Sequence, residues 1–380
     1  MKKLRRCIRL IALILTLLLL VPMGYSAYSL VVYGTRWRTS EYNTYLRSQK
    51  SAVTAGSILD RSGVVLASTG EDGNRTYAAD AAVRSAMVHV VGDSRGNIKN
   101  AAESFMTEYL YGLKMSFTER LTQLARNGTL RGDTITLTCS SELSAYAASL
   151  FPKGKSGAIV VMNYKTGELI VLESFPNYDP TTTARVNSLM ALNHATRWLS
   201  APGSTFKIVT LASALQNLPG ITTRTFQCSG LVDFGSSLRM VSDYGGEAHG
   251  TLSLRAAFLK SCNSTFSMLA YDLGDSRLRQ TAADFGIGDD FTFRDLVVEN
   301  SSFSISPAPL LGADLGWTGV GQNELQLTPL HMCMIASAVA NKGVMMEPRL
   351  LLKAETALGS MRTGYEAKVY KRVLSAEVAQ

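Results

Sequence analysis

Ala201-Pro202-Gly203-Ser204-Thr205-Phe206-Lys207 runs directly into Ile208-Val209-Thr210-Leu211-Ala212-Ser213-Ala214-Leu215, and this junction decides how the rest of the chain is read. Pro-Gly followed by Ser opens a largely apolar helical pattern over residues 202–216, which puts Ser204 at the helix N-terminus and Lys207 one turn later on the same face. An amine is thereby set beside a hydroxyl. Burial and the positive end of a helix both favour a neutral lysine, so Lys207 is placed to take the proton of Ser204 when that oxygen attacks a carbonyl. Backbone N–H groups at the helix start would stabilise the negative charge that develops. Read alone, the same four residues also describe a serine N-cap followed by a solvated lysine, so the motif needs a second element.

Lys260-Ser261-Cys262-Asn263-Ser264 supplies one. It falls between helical patterns over 252–260 and 265–273, where a short connecting turn aims Ser261 and Asn263 the same way. Ser-x-Asn downstream of Ser-x-x-Lys is the pairing found in serine acyl-transferring enzymes that recognise penicillin. In such a site Ser261 relays a proton between Lys207 and the leaving amine, and Asn263 hydrogen-bonds the substrate peptide. Helix capping by Ser261 and Asn263 is the plainer alternative.

The chain around these motifs has 380 residues, 46% hydrophobic and 18% charged, enough to bury one or two cores and too apolar for a disordered tail. Lys and Arg outnumber Asp and Glu by 38 to 30, yet five of the basic side chains (Lys2, Lys3, Arg5, Arg6, Arg9) lie in the first ten residues. Without them the excess falls to +3, which leaves no basic stripe for nucleic acid. Residues 10–35 then carry no charge at all, a length that spans a bilayer as an uncleaved anchor, with the basic cluster cytoplasmic and everything after about residue 36 on the other side. A cleaved signal peptide would have a shorter apolar part. Cys7, Cys139, Cys228, Cys262 and Cys333 are widely spaced, with no Cys-x-x-Cys pair and no histidine at metal-ligand spacing, so neither a metal nor a cofactor is expected.

Residues 36–152 are mixed in character: two short strands around Asp60-Arg61-Ser62-Gly63, a helix near 116–127, a strand over 134–138 and a helix from Ser140 or Ser141 to Leu150. No catalytic constellation stands out there, and the stretch reads as a pedestal. A second domain, 153–380, opens with a β-hairpin, Ala158-Ile159-Val160-Val161-Met162 and Glu168-Leu169-Ile170-Val171-Leu172 around a turn ending in Gly167. Helical patterns dominate afterwards, the last over 329–341 with Thr328 as N-cap, Pro329 at the first helical position and Gly343 just past the end. Strands beside a helix-rich block imply an α/β or α+β core. The segment 237–246 reads as a loop in which no residue receives a role.

The ordered series of anchor, Asp60-Arg61-x-Gly63, Gly157-Ala158-x-Val160-Val161-Met162-Asn163, Pro176-Asn177-Tyr178-Asp179-Pro180, Pro202-Gly203-Ser204-Thr205-Phe206-Lys207, His249-Gly250, Ser261-Cys262-Asn263, Gly321-Gln322 and Thr328-Pro329-Leu330 resembles class B penicillin-binding proteins over almost the whole chain. The resemblance implies a penicillin-binding transpeptidase fold, similar to serine β-lactamases, on an α+β pedestal (36–152) behind a cytoplasmic tail (1–9) and a transmembrane anchor (10–35). It implies a D,D-transpeptidase in which Ser204 attacks the penultimate D-Ala of a peptidoglycan stem peptide, D-Ala leaves, and an amine of a neighbouring strand resolves the acyl-enzyme. β-Lactams would acylate Ser204. A polytopic glycan-polymerising protein in the cytoplasmic membrane is the partner that the family implies.

The family's third motif, Lys-Thr-Gly on an edge strand after Ser-x-Asn, has two look-alikes. Lys165-Thr166-Gly167 precedes Ser204 and sits in a hairpin turn, where glycine is explained by geometry. Arg362-Thr363-Gly364 is in the right order but follows Gly359-Ser360-Met361 rather than a β-rich run, and 373–379 resembles the helix start that comes before the true motif. The expectation is therefore a catalytic domain truncated before its third motif. An inactive scaffold or non-functional fragment is the alternative, and a penicillin sensor or β-lactamase-like hydrolase a more remote one. Ala55-Gly56, where the family carries Arg-Gly, is a further departure.

Overall fold

The computed structural model describes residues 2–38, 48, 50–235, 239–304 and 308–380. Helix α1 (Lys2–Arg38) carries the charge-free stretch, and its most apolar part, Arg5–Val31, spans 27 residues. At 1.5 Å per residue that is about 40 Å, more than the ~30 Å of a bilayer's hydrocarbon. Its leucines, Leu18 and Leu19 among them, have no protein around them.

The following segment builds β1 (Ile58–Leu59), β2 (Val65–Thr69), β3 (Arg75–Tyr77), α2 (Ala81–Val91), α3 (Phe117–Asn127), β4 (Thr134–Leu137) and α4 (Ser141–Leu150). The local signals act as expected. Asp60 closes the β1–β2 turn by accepting from the backbone of Ser62 and Val64, Ser116 and Glu119 form a reciprocal capping box on α3, and Ser140 caps α4. Gly56 is required by close approach, since a Cβ there would lie 1.9 Å from the Asp133 carbonyl oxygen. Beside it Arg75 donates to the Gly56 carbonyl and pairs with buried Glu103 at 2.7 Å.

Beyond residue 152 come β5 (Gly157–Met162), β6 (Leu169–Phe175), α5 (Lys207–Asn217), β7 (Thr225–Cys228), β8 (Leu231–Val232), β9 (Val241–Ser242), β10 (Gly250–Ser253), α6 (Leu254–Leu259), α7 (Asn263–Asp284), α8 (Gly312–Gly319), α9 (Pro329–Ala340), β11 (Val344–Met346), β12 (Leu351–Glu355), β13 (Met361–Gly364), β14 (Val369–Arg372) and α10 (Ala376–Ala379). Helix α7 packs against both α5 and α8, and α9 lies on the β5–β6 hairpin. Two helical expectations shift. Leu252 belongs to β10, paired with Phe226, because Ser253 accepts from Ala256 N–H and starts α6 only there. The 265–273 pattern begins earlier, at Asn263, and runs on to Asp284 across a kink at Gly274 (φ 74°).

A six-stranded sheet in the order β13-β12-β4-β1-β2-β3 joins the two halves of the chain. The pair β1–β4 is parallel, with Ile58 opposite Ile135, and β12 lies antiparallel to β4, with Leu351 opposite Leu137. Residue 152 thus divides the chain but not the sheet, and one continuous apolar core runs from Ile58 to Phe206 and Phe266. Residues 361–364, expected to lack a β-rich context, form the edge strand β13. Arg362 on it reaches back to Asp133 (2.6 Å) and Glu119 (2.6 Å).

Burial raises the Asp133 carboxyl against the lowering pull of Arg362. Replacing the guanidinium (Arg362→Ala) strands a buried carboxylate and should cost about 3 kcal/mol. A carboxyl whose folded pKa lies above its unfolded value is penalised when charged, and that penalty is relieved as pH falls through the folded pKa. Thermal unfolding should therefore show a lower Tm for Arg362→Ala at pH 8, with the deficit shrinking towards pH 5; an unchanged Tm at pH 8 would contradict this role.

Candidate active site

Ser204 lies in a single 3-10 turn, Gly203–Phe206, that feeds α5. The turn is held from behind by Gly321, whose carbonyl accepts from Gly203 N–H at 2.8 Å. A Cβ at Gly321 would come within 1.9 Å of the Gly203 oxygen, so only glycine lets the two backbones meet. Phe206 is fully buried while Ser204 remains exposed. The helix start thus points its hydroxyl to solvent and drives the next aromatic ring into the core.

Lys207 is 1% exposed. Its Nζ stands 3.3 Å from Ser204 Oγ, 3.0 Å from Ser261 Oγ, 2.5 Å from the Ser261 carbonyl oxygen and 2.6 Å from Asn263 Oδ1. An ammonium has three hydrogens for these four oxygens. Ser204, the longest of the four contacts, is the one that can turn round and donate its O–H to the lone pair of a neutral amine. Desolvation lowers the Lys207 pKa to about 8, against the opposing pull of Asp243 and Cys262. Near pH 8 the amine is therefore divided between proton donor and proton acceptor, the condition that general acid–base work requires.

The Ser-x-Asn turn is set by an unusual backbone. Ser261 takes φ 53°, a left-handed conformation that costs a non-glycine residue about 1–2 kcal/mol. It lets both the carbonyl and the hydroxyl of one residue face Lys207. Asp243, which sequence reasoning passed over, holds the turn in place. Its carboxylate accepts from Asn263 N–H (2.5 Å), Ser264 N–H (3.2 Å), Ser264 O–H (2.5 Å) and the Cys228 thiol (3.2 Å). The preceding Ser242 carbonyl takes Asn263 Nδ2–H at 2.9 Å, which fixes Oδ1 towards Lys207. Asp243 and Ser242 lie in the stretch expected to be an idle loop; Ser237 and Leu238 of that stretch lie outside the described residues.

The fold also gathers a cluster of side chains that local spacing does not show. Cys228, Asp243, His249 and Cys262 are scattered in sequence, yet their sulfur, oxygen and nitrogen atoms all lie within 4.8 Å of one another. Two thiols, an imidazole and a carboxylate are a donor set suited to zinc. Local spacing missed them because β7, β9, β10 and the turn before α7 bring them together. Burial pushes the Cys262 thiol up to about 11, and its sulfur caps α7 by accepting from Thr265 N–H at 3.3 Å.

The two Lys-Thr-Gly look-alikes stand elsewhere. Lys165-Thr166-Gly167 forms the β5–β6 turn, with Gly167 at φ 77°, and Arg362 is engaged by Asp133 and Glu119.

A serine at a helix start, a buried lysine with a lowered pKa and a second serine on that lysine define a serine acyl-transfer site. Residues 157–380 match the family described as the penicillin binding protein transpeptidase domain, and the chain belongs to that family. It is 34% identical over 245 residues to the peptidoglycan D,D-transpeptidase PbpA of Mycobacterium tuberculosis (59% of this chain, 48% of the relative). It is 28% identical over 269 residues to MrdA of Escherichia coli, also named a peptidoglycan D,D-transpeptidase (62% and 42%). The chain thus spans about half the length of the curated relatives it matches. Among solved structures, the penicillin G acyl-enzyme complex of penicillin-binding protein A from M. tuberculosis superposes with a TM-score of 0.77 at 27% identity, covering 86% of this chain and 80% of that one.

Asp243→Asn should slow acylation by a β-lactam about tenfold, because a neutral acceptor replaces a carboxylate that receives donors from Asn263, Ser264, Cys228 and Cys262. For the unaltered protein, the acylation rate constant should rise with pH through about 8 as Lys207 loses its proton. Stopped-flow measurement of both would expose an error: a flat pH profile would rule out Lys207 as the base.

Proposed function

We propose that this chain is a membrane-anchored serine D,D-transpeptidase of peptidoglycan synthesis that also binds penicillin covalently. The observation that carries the reading is the convergence of Ser204, Ser261 and Asn263 on the single buried amine of Lys207. In the acylation step neutral Lys207 accepts the Ser204 proton, and Oγ attacks the carbonyl of the penultimate D-Ala of a stem peptide. The proton then passes by way of Ser261 Oγ to the departing D-Ala amine as the peptide C–N bond breaks. An amine from a neighbouring strand attacks the resulting ester, gives up a proton to the same relay and releases Ser204. Asn263 positions the peptide. With a β-lactam the same attack opens the ring, the amine stays tethered, and the acyl-enzyme persists.

The arrangement of the chain supports an extracytoplasmic site. The basic cluster at Lys2, Lys3, Arg5, Arg6 and Arg9 precedes the apolar part of α1, so the N-terminus stays cytoplasmic and residues after about 36 face the other side. Residues 36–152 act as a pedestal for the site, residues 153–380 as the transpeptidase domain, and a polytopic glycan-polymerising protein is the partner in the membrane.

Fluorescent penicillin should label the full chain covalently, with denaturation-resistant fluorescence on a gel, and Ser204→Ala should abolish the label. Labelling that survives the substitution would eliminate Ser204 as the nucleophile. An unlabelled but folded wild-type chain would favour the scaffold reading.

A further inference from the structure

Side chains alternate along β6, and one side of the strand carries Glu173 into the seam between the two halves of the chain. Ser174 turns the other way, where its hydroxyl meets the Leu192 carbonyl and the His194 ring. Glu173 is 0% exposed, and no group among the described residues donates a hydrogen bond to either of its carboxylate oxygens. The other buried carboxyls among the described residues each have a donor. Arg75 serves Glu103, Lys114 serves Glu108 and Arg362 serves Asp133, while N–H or O–H groups serve Asp60, Asp93, Asp243 and Asp295.

The surroundings explain why Glu173 has none. Helices α2 and α4, from the chain before residue 152, pack on β6 together with β5 and the short helix His194–Arg197. The buried positions of α2 are apolar apart from His89, whose Nε2–H is taken by the Met190 carbonyl, and Arg84 of the same helix is held by Asp179. On α4, Glu142 and Tyr146 are exposed, and Ser144 faces Glu173 without a hydrogen bond of ordinary length. The buried Cys139 thiol is pushed up by burial and by Glu173, so it stays uncharged. Strand β5 has no titratable side chain, His194 lies on the Ser174 side, and Arg197 pairs with Glu299. None of these elements turns a cation to the carboxyl.

Elsewhere the seam is closed by matched contacts: Ser140 N–H to the Ile170 carbonyl at 2.9 Å, Arg84 to Asp179 at 2.7 Å and Tyr178 O–H to Asp93 at 2.7 Å. A carboxylate in such a place, with neither donor nor counter-charge, is strongly disfavoured against its neutral acid. Burial accordingly lifts Glu173 from the ordinary 4.5 to about 9. Where the seam opens, water reaches the carboxyl and the ordinary value returns.

We propose that Glu173 is a proton-dependent latch: the seam of α2 and α4 against β6 closes over the uncharged acid, and withdrawal of the proton in alkaline medium releases it. Closing moves a proton from solvent to the carboxylate, and opening returns it. The closed form thus holds one more proton between the two values, and each unit of pH gained in that window favours opening about tenfold. Above about 9 the dependence levels off, because the carboxylate is then charged in both forms. The latch does not rest on the catalytic reading of Ser204.

Hydrogen exchange of the full chain in detergent micelles, read by mass spectrometry at pH 6, 7 and 8, tests the latch. After correction for the intrinsic exchange rate, protection of residues 141–150 and 169–175 should fall about tenfold per pH unit, while that of 263–284 stays level. Glu173→Gln, an uncharged isostere, should remove the slope and exceed the wild type at pH 8 by at least about tenfold in the same segments. Glu173→Met, which also cannot titrate, should remove the slope too and guards against a poorly packed amide. Wild-type seam protection independent of pH, an undiminished slope in either variant, or an equal slope at 263–284 would each overturn the latch, the last because it marks unfolding of the whole chain.

Discussion

The active site depends on keeping one amine dry. Lys207 is seated where α5 begins, beneath Ser204 and against the Phe266 ring at 5.6 Å, and burial there is what brings its pKa to about 8. A lysine left in water would hold its proton and could not receive one from Ser204. Desolvation alone would be costly for the charged form, and the oxygens of Ser261 and Asn263 offset it without supplying a full negative charge. The nearest carboxylate, Asp243, acts at one remove. It spends its lone pairs on the backbone and hydroxyl donors of the turn, so Lys207 feels it without being ion-paired to it.

That division of labour explains the shape of the surrounding lobe. Strands β7 to β10 contribute no nucleophile and no base. They deliver Asp243 and the Ser242 carbonyl to the Ser-x-Asn turn, and the buried thiols of Cys228 and Cys262 fill the space behind it. The left-handed backbone of Ser261 is maintained because its neighbours on both sides are fixed, Cys262 N–H to the Ala257 carbonyl and Asn263 N–H to Asp243. Strain at one residue is tolerated where rigid bonds flank it.

Much of this was legible in the sequence, for identifiable reasons. Ser204 and Lys207 are three residues apart on one helix start, and caps such as Ser116, Ser140 and Thr328 announce themselves by local chemistry. Ser261 and Asn263 were readable because they are polar, one residue apart, and lie between two helical patterns. Asp243 was not, since its role exists only once β9 lies beside α7. The gathering of Cys228 and His249 with it was hidden for the same reason. The strand at Met361–Gly364 was missed because its pairing partner, not its own composition, makes it a strand.

The shared sheet sets an order of events for a chain made from its N-terminus. Strand β4 can pair with β1 early, but its other edge stays open until β12 emerges, and Asp133 waits for a guanidinium 229 positions later. Contacts of such long sequence separation form late because the intervening loop must be closed first. An exposed strand edge in the meantime invites wrong pairing. Maturation of the N-terminal half is therefore tied to delivery of residues 351–362, and the site at Ser204 is enclosed between the two events.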